Sequence, residues 1–281
     1  MDRQKGVLAI HDISCAGRCS LTVALPILSA CGVECSLLPT ALLSTHTGGF
    51  SGYTFLDLSD EMEKVLDHWK TLDMDFDYIY TGYLGSPEQI KTVARAVAMY
   101  PSAKLIVDTV MGDGGRMYQG LSDDFPEAMR SLTTLADMIT PNATEAALLL
   151  GEDYRGEPWD CPEVRDTVVR LAGDTAGGAA VMTGVVRDGE IGAVACVGGK
   201  FYEAFSKKAD GMFHGTGDVF ASALVAALAA GADHARALFV AAEFTHRAIE
   251  ASLMENRDRK YGVPFEKALP FIVKELNGSD E

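Results

Sequence analysis

Residues 214–230 read HGTGDVFASALVAALAA: two glycines around a threonine, then an acid, then an apolar run made mostly of small residues. A helix that is apolar on every side has no face for water, so this run belongs inside a domain. One polar residue suffices to cap a helix, which leaves Gly215, Thr216 and Gly217 together in need of a further reason. Glycines permit positive φ and close approach to a ligand, and the N–H groups of a first helical turn have no intrahelical partner. At the positive end of the helix dipole such amides form a cradle for phosphate oxygens. Asp218 lies in the same turn, where the dipole favours its ionised form. It could there take the proton from a hydroxyl attacking a phosphoryl group, while the amides stabilise the charge that builds up. The same letters also read as a plain N-cap, Thr216 or Asp218, beside a tight turn.

Upstream, AAVMTGVV, IGAVACV and KFYEAF lie between residues 179 and 206, separated by Asp188-Gly189 and Gly198-Gly199. Both pairs are strong hairpin signals, so antiparallel strands are expected to extend one sheet edge. Before them, short apolar runs alternate with helix-period stretches: GVLAI at 6–10, SLTVALPILSACG at 20–32, ECSLLPTALL at 34–43, DEMEKVLDHWKTL at 60–72 and DYIYTG at 77–82. PEQIKTVARAVAMY at 87–100, KLIVD at 104–108, DDFPEAMRSLTTL at 123–135, DMIT at 137–140 and NATEAALLLG at 142–151 continue the alternation. This is the βαβα rhythm of a mostly parallel sheet with helices on both faces. Two more helical stretches are expected near 233–252 and 265–276. Without an internal repeat or a low-complexity linker, residues 1–281 read as a single α/β domain.

At 281 residues and 48% hydrophobic, the chain can bury one large core. A net charge of −16, with lysines and arginines scattered, lacks the electrostatic footprint that nucleic acid or an anionic membrane demands. The apolar stretch after MDRQK is about five residues, shorter than a signal-peptide core, and the expected location is cytoplasmic. Of the six cysteines, Cys15, Cys19, Cys31 and Cys35 fall close together without a C-x-x-C pair, so reduced thiols are expected in place of a zinc site.

In an open α/β sheet ligands bind at the carboxyl ends of the strands. The segments there read HDISCAG, STHTGGFSGY, TGYLG, DTVMGDGG and TPNATE. Asp108 and Asp113 offer hard oxygen donors of the kind that serve Mg²⁺ in phosphoryl transfer, or else turn residues at a strand end. Asn142 and Glu145 have the spacing of a capping box, and the same glutamate could hold a metal-bound water beside nucleotide phosphate. No G-x-x-x-x-G-K-[ST] occurs, nor G-x-G-x-x-G after the first strand, which argues against a P-loop and against a dinucleotide oxidoreductase. His46, Thr47, Gly48 and Tyr83 leave the second and third strands with groups suited to a small aromatic or sugar-like alcohol. Gly48, Gly49 and Gly52 are expected in a mobile flap over it.

In the order AIHDISCAGRCSLTVALPILSACGVE, STHTG, TGYLGS, DTVMGD, ITPNATEA, VMTG and HGTGDVF, the chain resembles the ribokinase-like vitamin kinases, pyridoxal kinases among them, over about residues 6–250. The resemblance implies a three-layer αβα fold, dependence on ATP and Mg²⁺ with a monovalent cation such as K⁺, a homodimer, and transfer of a phosphoryl group to the 5'-hydroxymethyl of a B6 vitamer. It implies Asp218 as base and Gly215, Thr216 and Gly217 as anion hole. It implies Asp108, Asp113, Asn142 and Glu145 for Mg²⁺ and ATP phosphates, with Thr140 beside them and Thr183 at a nucleotide contact. Thr47 and Tyr83 would line the vitamer pocket, with Gly48 next to Thr47.

Three departures stand out. Thr109 replaces a proline, which should alter loop stiffness more than chemistry. His11, Asp12 and Ser14 occupy the place of the serine that reads the pyridine nitrogen. HDISCAG also looks like the loop of hydroxymethylpyrimidine kinases, but those often carry cysteine where this chain has Asp218. Three readings therefore compete: a B6 vitamer kinase, a hydroxymethylpyrimidine or sugar kinase, and a non-catalytic vitamer or nucleotide carrier.

Overall fold

The computed structural model describes residues 3–156, 161–255 and 258–278. Strand β1 (Gly6–Ile10) leads through β2 (Ile13–Ser14) to α1 (Leu21–Ala30), β3 (Glu34–Leu37) and β4 (Ala41–Leu43). Next come β5 (Phe55–Asp57), α2 (Ser59–Trp69), β6 (Tyr78–Thr81), α3 (Pro87–Met99) and β7 (Lys104–Val107). A small hairpin of β8 (Gly112–Asp113) and β9 (Arg116–Met117) precedes α4 (Phe125–Thr133), β10 (Met138–Ile139), α5 (Ala143–Leu150) and α6 (Cys161–Gly173). The chain continues with β11 (Ala179–Arg187), β12 (Glu190–Val197), β13 (Lys200–Lys207), α7 (Thr216–Ala229), α8 (His234–Met254) and α9 (Leu269–Asn277).

The main sheet has eight strands in the order β13-β12-β11-β10-β7-β6-β1-β3. It is parallel from β3 to β11 and antiparallel across β12 and β13. Because side chains alternate along a strand, Val7 joins the core with α1, α7, α8 and α9, whereas Leu8 and Ile10 join the core with α2 to α6. All three are fully buried, and each such side chain contributes about 1.5–3 kcal/mol relative to exposure. The result is the expected three-layer αβα arrangement.

At the edge, Asp188, Gly189, Gly198 and Gly199 all have positive φ, as two-residue hairpin turns require. From Val219 to Ala227 every residue of α7 is buried, and its small side chains let it pack closely between α1 and α8. Two expectations change. ECSLLPTALL is not one strand: it breaks around Pro39, which has no N–H for a ladder, and β4 pairs instead with β2 and β5 in a separate small sheet. The last helical stretch begins as a 3-10 turn at Phe265–Lys267 before α9. No described helix is long and apolar enough to cross a membrane.

Candidate active site

A cleft of ≈ 540 Å³ opens at the carboxyl ends of the parallel strands. Of the residues singled out from sequence, Asp12, His46, Thr47, Gly48, Tyr83, Asp108, Asp113, Thr140, Asn142, Glu145, Thr183, Gly215, Thr216, Gly217 and Asp218 all line it. Ser14 does not. It is fully buried, and its hydroxyl donates to Asp12 Oδ2 at 3.0 Å, so it supports a cleft residue from behind. His11 also lies behind the wall, edge-on to Tyr80 at 4.4 Å, and burial pushes its pKa down to about 3.

In the cleft wall, α7 begins with Gly215 as N-cap and no side-chain cap. Gly215 has φ 75, and a Cβ there would stand 2.3 Å from the Arg18 carbonyl, so only glycine fits. Gly217 does not use positive φ, contrary to expectation; a Cβ there would meet nothing within 4 Å and would project into the open cleft. The amides of Thr216, Gly217 and Asp218 donate to no main-chain carbonyl among the described residues. The plain N-cap reading of Thr216 or Asp218 therefore falls: Thr216 Oγ1 donates back to the Phe213 carbonyl at 3.3 Å, and Asp218 sits in the third helical position.

Asp218 Oδ2 accepts the Cys19 thiol at 3.1 Å. Burial raises the carboxyl above its ordinary value, opposed by the Ser20 amide, the Cys19 thiol and His46. Desolvation thus outweighs the dipole, the reverse of the sequence expectation. A carboxyl shifted upward in this way has the property that proton abstraction near neutral pH would need.

In the same wall, α5 closes its own N-terminus. Asn142 Oδ1 accepts from the Thr144 and Glu145 amides at 2.9 and 3.0 Å, and Glu145 Oε2 accepts from the Asn142 amide at 3.0 Å. Glu145 Oε1 accepts from the Met111 amide at 3.1 Å, and Oε2 takes the Thr109 hydroxyl at 2.9 Å. Thr109 therefore adds a donor that proline could not, a chemical effect and not only one of stiffness. Thr140 Oγ1 donates to Asp108 Oδ1 at 2.9 Å. Burial first, then the charges of Glu145 and Asp218, lift Asp108 well above the usual carboxylate range. Asp113 Oδ1 accepts from the Gly114 amide at 2.8 Å. Thr183 lies at the irregularity between Met182 and Val185 in β11, its amide on the Pro141 carbonyl at 2.9 Å.

No group of three or more His, Cys, Asp or Glu among the described residues could cage a metal. The acidic set fits a hydrated Mg²⁺, which binds through one or two carboxylates together with substrate phosphates. Asp113 has one donor, the Gly114 amide, and Asp108 has two, the Thr140 hydroxyl and the Thr109 amide, whereas Glu145 is more heavily occupied.

The acceptor wall is tied down more than expected. His46 Nε2 donates to the Lys260 carbonyl at 2.6 Å and Nδ1 accepts from the Gly48 amide at 3.1 Å, so neither nitrogen is free to read a ligand. Phe50 packs edge-on against Tyr261 at 5.2 Å, and the Tyr261 carbonyl accepts the Arg18 amide at 2.9 Å. The glycine-containing flap is thus anchored at its base. Burial pushes the Tyr83 phenol up to about 12, which keeps it a neutral hydroxyl.

The profile of the phosphomethylpyrimidine kinase family matches residues 25–262. The chain belongs to this family. Its fold is ribokinase-like: a pyridoxal kinase from Lactobacillus plantarum superposes with TM-score 0.90 at 32% identity, covering 99% of both chains. A Bacteroides thetaiotaomicron protein crystallised with pyridoxal, provisionally a phosphomethylpyrimidine kinase, superposes with TM-score 0.90 at 36% identity over 96% of both chains. The Arabidopsis thaliana thiamine biosynthetic bifunctional enzyme TH1 is 29% identical over 88% of this chain but only 47% of its own length. The protein is thus a kinase of the phosphomethylpyrimidine kinase family with relatives of both vitamin classes.

Cys19, Ser20, Tyr118 and His214 also line the cleft, although sequence reasoning does not single them out as site residues. Cys19 and Ser20 lie just past HDISCAG, within the longer quoted stretch AIHDISCAGRCSLTVALPILSACGVE, and His214 in HGTGDVF. Their polar character beside glycines is the available signal. Cys31 and Cys196 are the packed thiols expected, but Cys15 is exposed and Cys19 faces the cleft.

Proposed function

We propose that the protein phosphorylates the 5'-hydroxymethyl group of a B6 vitamer with ATP. The observation that carries this reading is Asp218 beside three unpartnered amides at the tip of α7, in a cleft that also carries Asp108, Asp113 and Thr183. Asp218 takes the proton of the acceptor hydroxyl as its oxygen attacks the terminal phosphorus, and ADP leaves. The amides of Thr216, Gly217 and Asp218 accept the charge that gathers on the transferred oxygens. Asp108 and Asp113 would hold Mg²⁺, with Thr140 fixing Asp108 and Glu145 backing the loop. Mg²⁺ would supply neutralisation of phosphate charge there. Tyr83, Thr47 and Asp12 would orient the ring, while His46 fixes the backbone of Gly48.

Relatives of both classes support a second reading, a hydroxymethylpyrimidine kinase. The carboxylate at Asp218, where that class often has cysteine, favours B6. The test is ADP release from Mg-ATP with pyridoxal, pyridoxine, pyridoxamine and hydroxymethylpyrimidine. The highest kcat/KM is expected with a B6 vitamer; a preference for the pyrimidine replaces this reading by the second, and silence with all four removes both.

A further inference from the structure

The loop that joins β1 to α1 holds an unusual backbone. Ser20 has φ 57 and ψ −131, and among the described non-glycine residues only Asp188, in a hairpin turn, shares a positive φ. A side chain is disfavoured there and persists only where its surroundings fix it. They do so here. The Leu21 amide donates to the Asp12 carbonyl at 3.1 Å, Ser20 bridges to Ile13, and the Thr22 hydroxyl donates to the Cys19 carbonyl at 2.7 Å.

The outcome of this conformation is that two adjacent side chains reach two different carboxylates. The Cys19 thiol donates to Asp218 Oδ2 at 3.1 Å. The Ser20 hydroxyl donates to Asp12 Oδ1, whose other oxygen is taken by Ser14 at 3.0 Å. All four cleft residues, Asp12, Cys19, Ser20 and Asp218, face the same cavity. Glycine would serve the backbone at position 20 better; what serine adds is the hydroxyl on Asp12. We propose that Cys19 and Ser20 are positioning residues, a two-pronged clamp in which Cys19 orients Asp218 for proton transfer and Ser20 orients Asp12 toward the acceptor. Burial, and then the charges of Asp218 and Asp12, hold the Cys19 thiol far above its ordinary value, which keeps it an S–H donor and not a nucleophile.

The inference rests on the kinase reading, and its test is steady-state kinetics of the full-length protein with saturating Mg-ATP and varied pyridoxal, alongside pyridoxal binding. Cys19→Ala should lower kcat about tenfold with little change in the pyridoxal KM, and Cys19→Ser should restore most of it, since a hydroxyl replaces the thiol as donor. Ser20→Gly should instead raise KM about tenfold and leave kcat within about twofold. Adding Asp12→Asn to Ser20→Gly should raise KM no further than Asp12→Asn alone, as expected of residues acting through one contact. Cys19→Ser no better than Cys19→Ala, an unchanged KM in Ser20→Gly, or additivity with Asp12→Asn overturns the clamp. A wild-type protein that binds pyridoxal without releasing ADP removes the kinase reading. The Ser20 arm then stands if Ser20→Gly weakens the Kd about tenfold and falls if the Kd is unchanged, while the Cys19 arm falls with turnover. Failure of the wild type to bind pyridoxal overturns both.

Discussion

Two helices point their N-termini at the same cleft, and the chain treats them in opposite ways. α5 satisfies its first-turn amides with its own side chains, through Asn142 and Glu145, and adds the Met111 amide and the Thr109 hydroxyl around the same carboxylate. α7 has no side-chain cap, and its first amides are left for something else. An uncapped N-terminus ordinarily costs about 1 kcal/mol relative to a capped one. The difference separates a terminus that holds a loop in place from one whose first amides stay open, as the proposed anion cradle requires. It also separates two acids in the same helical position: Glu145 is absorbed into the structure, whereas Asp218 has only the weak Cys19 thiol and the Ser20 amide against it.

The sharpest way to break this contrast is Asp218→Asn. It should cut kcat by about 10²–10⁴ while leaving nucleotide and vitamer binding measurable by titration. A variant that keeps turnover would make α7 as structural as α5.

Asp12 offers a pH test of the same wall. Burial, opposed by Ser20 and Ser14, raises its pKa to about 6. The folded protein then keeps this proton longer than the unfolded chain, so stability should fall as pH rises from about 4 through about 6 and level off above. Asp12→Asn should remove that dependence and leave the variant more stable above pH 6 by up to about 3 kcal/mol, since each tenfold loss of acidity on folding costs the ionised form about 1.4 kcal/mol. Urea unfolding at pH 4 and pH 8 reads it; a variant less stable at pH 8 would mean that the carboxylate is ionised and well paired.

Asn142→Ala should cost about 1 kcal/mol in urea unfolding, the ordinary loss of a cap. A larger effect on the KM for Mg-ATP than on stability would show that this terminus, too, meets phosphate. The smallest effect is expected from Thr109→Val, which keeps shape but removes one of the donors on Glu145. A change of about two- to threefold in the Mg-ATP KM is expected, less than about 1 kcal/mol, and no change would make the threonine mere filler.

Much of the fold and the cleft is legible in the sequence because the physical reasons act locally. Hairpin turns at Asp188-Gly189 and Gly198-Gly199 are set by φ preferences of two residues, and the Asn142–Glu145 cap by a spacing of three. The position of the cleft follows from the rhythm of strands and helices. What is not legible depends on distant partners. Ser14 and His46 look like free polar groups in a line of letters, yet Asp12, Gly48 and the Lys260 carbonyl occupy them. The direction in which the Asp218 carboxyl moves runs against the sequence expectation because the helix dipole is a local property and desolvation is set by the whole fold. Cys19 and Ser20 matter only through a backbone twist that no letter announces.

The short segment at residues 258–262 joins parts of the chain that are far apart in sequence. Its carbonyls receive Arg18 from the first loop and His46 from the flap, and Gly262 lies against the same Arg18 carbonyl that presses on Gly215. It acts as a keystone, so cutting the chain before Asp258 would do more than drop a terminal helix. The walls around the acceptor would lose their common anchor while the sheet, with its hydrogen-bonded strands, stayed whole.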